Sequence, residues 1–139
     1  MGLEERIDDF AAALRRREAG HAEDMAGAQL KAQEVHGIIS SAIDRFNAAI
    51  EAELPALRIE VSAPRLDDKH VHAVEFNLSR GRHRAIVTTK SKGEITLVGP
   101  FKAGKNEGPC RTFPFSEEGE LEGALGDFIE RFLEEATAP

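Results

Sequence analysis

The sequence predicts an α+β fold: a long N-terminal helix, a four-stranded antiparallel β-meander and a C-terminal amphipathic helix, with both helices on one sheet face. Three observations predict it. Between Lys69 and Phe101 side chains alternate in polarity through two consecutive turns, the period of a half-buried sheet. Before that stretch, apolar residues from Leu3 onward recur at helical steps, and after it Leu121, Ala124, Leu125, Phe128, Ile129, Phe132 and Leu133 do the same. A chain of 139 residues fits one domain that buries about two-thirds of its unfolded surface. Its expected parts are 1–54 (helical arm and sheet-covering helix), 56–101 (meander), 102–115 (loop and edge segment) and 116–136 (closing helix).

In the first part, Leu3, Ile7, Phe10 and Leu14 mark one helix face, followed by Arg15, Arg16 and Arg17. From Glu18 to Asp24 there is Gly20 and no large apolar residue, so the helix either breaks there or crosses as a weakly held segment; both stay open. The period resumes at Met25 and Leu30, strengthens through Val35, Ile39, Ile43, Phe46 and Ile50, and is expected to stop at Leu54 because Pro55 disfavours helical geometry in its predecessor. Unbroken, such a helix is roughly 78 Å long, whereas a four-stranded sheet measures some 20 Å on a side. The surplus needs cover. Either the chain folds back near Gly20 as a helical hairpin, or Leu3, Ile7, Phe10 and Leu14 pair with another subunit, and both options expect a buried Phe10.

Leu57, Ile59 and Val61 alternate with polar residues as the first strand. In the meander, the loop Arg80-Gly81 sets Leu78 opposite His83, Phe76 opposite Ala85 and Val74 opposite Val87. The loop Ser91-Lys92-Gly93, with Gly93 left-handed, sets Leu97 against Val87 and Ile95 against Thr89; a loop one residue shorter would turn Ile95 and Leu97 outward. The buried face then carries Val74, Phe76, Leu78, Ala85, Val87, Ile95, Leu97 and Phe101, and Ile86 lies outside opposite Val98. Cys110 to Phe115 reads as a short edge segment whose pairing Pro114 limits, and Ser116 as the N-cap of the closing helix.

Apolar and charged fractions of 41% and 31% are those of a soluble protein, and no run of 18 apolar residues is present to span a bilayer. The first residues lack the basic and apolar regions of a secretory signal, and one cysteine, Cys110, forms no internal disulfide; the expected location is the cytoplasm. Net charge is −7, unevenly spread: −5 over residues 1–55, −1 over 56–78, +6 over 79–111 and −7 over 112–139. Anions would be drawn to the middle block against the field of the rest.

Four patterns bear on chemistry. Gly99 to Asn106 matches P-loop spacing with Lys105 as its lysine, but Asn106 replaces the Ser or Thr that binds Mg²⁺, and Gly108-Pro109 interrupts the helix that should follow. Arg80, Arg82, Arg84, Lys90 and Lys92 cluster at the hairpin tips, extended by Lys102 and Lys105, as an anion- or partner-binding surface; without Trp or Tyr there is little to stack bases. His70 and His72, two apart, lack a third ligand, so no metal and no cofactor is expected. Cys110 has Arg111 beside it but no assignable base. The favoured expectation is a non-enzymatic, homodimeric interaction module using Leu3, Ile7, Phe10 and Leu14, with an acidic protein as a further partner of the basic tips. Nucleic-acid or polyanion binding through those tips comes second and a nucleotide at Gly99 to Asn106 third, with no membrane partner.

Overall fold

In the computed structural model, which describes residues 2–104 and 108–139, helix α1 runs unbroken from Leu3 to Ile50. Gly20 sits inside it with nothing within 4 Å of where a Cβ would lie, so one glycine's propensity loss of about 1 kcal/mol is carried by the helix on either side. The hairpin alternative is therefore overturned. The helix also stops four residues before Leu54: Glu53 and Leu54 both donate to the Ile50 carbonyl, and Pro55–Leu57 follow as a 3₁₀ turn. Leu57 is thus a turn residue, where alternation suggested a strand.

Six strands form the antiparallel sheet, two more than the meander reading counts: β1 (Glu60–Val61), β2 (Arg65–Leu66), β3 (Ala73–Arg80), β4 (His83–Lys90), β5 (Glu94–Lys102) and β6 (Cys110–Pro114). Their order is β1-β3-β4-β5-β6, with β2 also paired to β3 beyond β1. The extra strands come from Arg65–Leu66, which pair with Glu75 and Val74 in what reads as the polar connection from Pro64 to Asp68, and from the edge segment pairing fully with β5, Ile95 against Phe113.

The second hairpin has the expected register, Val87 with Leu97 and Thr89 with Ile95, and Gly93 at φ 89. The first is displaced: Arg80 pairs with His83, Phe76 with Val87 and Val74 with Thr89, so the loop is Gly81-Arg82. Gly81 at φ 55 takes the first central position, as in a type II′ turn, where the sequence reading put it second. Partners shift by two, which keeps every side chain on its face. Phe101 does change face. Opposite Ala85, β5 has two residues, Gly99 and Pro100, and this bulge puts Phe101 in register with outward-facing Arg84, only half-buried. Gly99 is required there, since φ is 108 and a Cβ would stand 3.0 Å from the Arg84 carbonyl oxygen.

Helix α2 (Glu118–Ala136) and α1 lie on the same sheet face, α1 over β3 and β4, α2 over β4 and β5. One core results: Val35, Ile39 and Ile43 of α1 meet Phe76, Leu78, Val87 and Ile95, and Leu125, Phe128 and Phe132 of α2 close it. The N-cap of α2 is Glu117 with no side-chain cap, one residue beyond the expected Ser116. Two buried polar side chains fasten α1. Asn47 donates to the Ile59 carbonyl and accepts from the Ile59 N–H, each at 2.9 Å, standing in for the strand neighbour that Ile59 lacks on that side. Thr89 donates to the Ala28 carbonyl at 2.8 Å. Among the described residues no helix is long and apolar enough to cross a membrane.

Candidate interaction surface

Burial of α1 against the sheet begins at Ala28 and continues through Ala32, Val35, Ile39 and Ile43. N-terminal to that, the helix is an arm. Stepping back from Ala28 by three or four residues visits Met25, His21, Glu18, Leu14, Phe10, Ile7 and Leu3, a mean step of about 3.6, so one stripe runs straight along the whole helix. The arm's apolar face therefore points to the side on which the sheet lies. It is uncovered: Leu3 is 72% exposed, Ile7 60%, Phe10 66% and Leu14 38%. The buried Phe10 that both sequence options expect is not found within one chain, because the helix does not turn back.

Where the stripe becomes polar, the sheet grips it. The segment 67–72 is closed by hydrogen bonds from the Asp67 N–H to the Ala73 carbonyl (3.0 Å) and from the Lys69 N–H to the Asp67 side chain (2.9 Å), and the Ser91 N–H holds the His72 carbonyl. This presents the His72 ring to the arm, where its Nε2–H donates to the Glu18 carboxylate at 2.8 Å. The hydrogen bond from His72 holds the Glu18 carboxyl below its ordinary range, against the opposing effect of desolvation, and the nearby charges of His72, His21 and Arg17 each add a lesser lowering. The His21 ring lies 5.6 Å from that of His72 and contacts Asp24 at 3.5 Å. Glu18 and His21 were missed in the sequence because that stretch has no large apolar residues, yet both fall on the stripe that Leu14 and Met25 define. His70 and His72 precede β3 rather than sharing a strand face. Among the described residues no three His, Cys, Asp or Glu side chains gather as a metal site.

The basic residues of the meander do not form one surface. Arg80, Arg82, Arg84 and Lys102 lie at the first hairpin, Lys90 and Lys92 at the other end of β4, about 25 Å away along eight strand residues. Lys105 lies outside the described residues. At the first end Arg84 is folded onto the turn, donating to the Gly81 and His83 carbonyls, and the Ala103 N–H donates to the Arg82 carbonyl. At the second end Lys69, His70, His72, Thr88, Lys90 and Lys92 border a cleft of about 560 Å³ between the segment before β3 and the second hairpin, with Lys92 also 3.4 Å from Glu94.

The remaining patterns resolve structurally. Gly99 to Lys102 are the end of β5, and after Gly108 and Pro109 the chain enters β6, so no helix N-terminus follows that segment among the described residues; Asn106 lies outside them. His36, Ser40 and Asp44 line a cleft of about 380 Å³, but the His36 Nε2–H is directed to the Ser62 carbonyl (3.0 Å) and the Ser40 hydroxyl is 3.4 Å from both ring nitrogens, longer than an ordinary hydrogen bond to either. Cys110 is exposed at the start of β6. Lys31, which the sequence reading passed over, is 7% exposed and joins the helices, 3.4 Å from Glu34 and 3.8 Å from Glu118. Comparison with protein-family models, with curated proteins and with solved structures finds no match to this chain.

Proposed function

We propose that this protein is a non-enzymatic interaction module whose first partner is a second copy of itself, bound through the arm of α1. The observation that supports this is the row Leu3, Ile7, Phe10 and Leu14, held out in solvent on a rigid helix that its own sheet is too short to cover. Burying a Leu, Ile or Phe side chain is worth about 1.5–3 kcal/mol. At the exposures observed, two copies together bury a stripe worth about 10 kcal/mol, against an association cost of about 4–15 kcal/mol. Where that cost is about 4–6 kcal/mol, a self-affinity between about 1 mM and 40 μM follows, which suits a regulated or avidity-assisted contact better than an obligate one. The basic ends favour an acidic surface for any additional protein partner. Their separation leaves a nucleic-acid backbone no continuous track, so polyanion binding is the weaker reading.

Sedimentation over a dilution series tests the proposal. A mass that rises from 15.2 kDa toward twice that value with concentration is expected, and Ile7→Glu with Phe10→Glu should hold it at the monomer value. A wild-type chain that stays at 15.2 kDa up to about 1 mM, the weak limit of the affinity above, would reject it.

A further inference from the structure

Resting on the self-association just proposed, we infer that the two arms pair antiparallel, Leu3 against Leu14 and Ile7 against Phe10, so that the acidic first turns of each copy lie toward Arg15, Arg16 and Arg17 of the other. Three independent features lead there.

The first is steric. Because the apolar stripe and the sheet are on the same side of α1, the space facing the stripe is filled from Glu18 onward by segment 67–72 and the strands behind it. Paired helices sit 8–10 Å apart. A parallel partner aligned on the arm would therefore bring its own sheet into the volume this sheet occupies. An antiparallel partner carries its sheet away in the opposite direction, and the paired length ends where each sheet begins.

The second is the spacing. Steps of four, three and four read the same in both directions, so reversing the partner lays the stripe onto itself with every apolar residue matched, as a two-fold interface requires.

The third is charge. Glu4, Glu5, Asp8 and Asp9 lie toward one end of the arm, with Arg6 among them, and Arg15, Arg16 and Arg17 toward the other. Antiparallel pairing brings unlike ends together twice; parallel pairing stacks acid on acid. Glu4 and Arg15 are three helical turns apart on one flank of the stripe, and in this register they fall within about 3 Å of each other along the pair axis.

Spin labels at exposed Glu23 (Glu23→Cys in a Cys110→Ser background) measure the arrangement in the full-length dimer. Antiparallel arms set the labels about 45–50 Å apart, and parallel arms about 25 Å. As a second measurement, Glu4→Arg and Arg15→Glu should each weaken self-association about two- to tenfold, and the double exchange should restore it. The long distance together with restoration supports the inference. A dimer with the short distance, or one indifferent to the exchanges, overturns the antiparallel register while leaving self-association standing. Absence of any dimer removes both.

Discussion

Replacing Asn47 with alanine tests what fastens the C-terminal end of α1 to the sheet. The side chain is 5% exposed and spends both ends of its amide on one residue, accepting from the Ile59 N–H and donating to the Ile59 carbonyl. Ile59 is itself 1% exposed, so truncation strands two backbone groups that water reaches poorly. Each buried group left without a partner costs about 1–3 kcal/mol, and alanine returns about 0.6 kcal/mol of helix propensity. The net loss is about 1.4–5.4 kcal/mol, a large part of a typical stability of about 5–15 kcal/mol. For a chain of this length that lowers the melting temperature by roughly 4–27 °C. Circular dichroism melts and urea titrations, run dilute so that association adds nothing, measure it, with Asp44→Ala, an exposed change one turn earlier, as the comparison. A loss below about 0.5 kcal/mol, the range of ordinary surface changes, would refute the role given to this amide pair.

Two further outcomes are expected. Gly99→Ala should destabilise by about 1–3 kcal/mol, because of the positive φ and the contact with the Arg84 carbonyl, whereas Gly20→Ala should stabilise by up to about 1 kcal/mol; equal effects in thermal melts would contradict both assignments. The Glu18 carboxyl, followed by NMR against pH, should titrate below the ordinary glutamate range and return toward it in His72→Gln. Because the folded value is depressed, the brace contributes above that range and is lost as pH falls below it, so an unchanged titration in the variant would remove the brace.

Much of this architecture was legible. Alternation from Val74 to Leu97 assigned the inward face of β3, β4 and most of β5, and it did so even where the first hairpin's register was displaced, since a shift of two leaves the faces unchanged. The candidate surface was legible to the same degree: Leu3, Ile7, Phe10 and Leu14 share a helix face at any length of helix. Phe101 was assigned to the wrong face because alternation has no marker for an inserted residue, and Gly99-Pro100 looks as much like a turn as like a bulge. The basic residues looked like one cluster because they are close in sequence, but successive hairpin tips of a meander lie at opposite ends of the sheet.

By itself, then, the sequence determined periodicity: which side chains share a face, where helix and strand alternate, and that the leading helix outruns its sheet. The tertiary structure alone decided that α1 crosses Gly20 without turning back, that His72 meets Glu18 across 54 residues, and that the arm's apolar stripe faces the side already occupied by the sheet. The physical reason is that local spacing sets a side chain's direction relative to its own backbone, whereas which surface lies in that direction depends on contacts between segments distant in the chain.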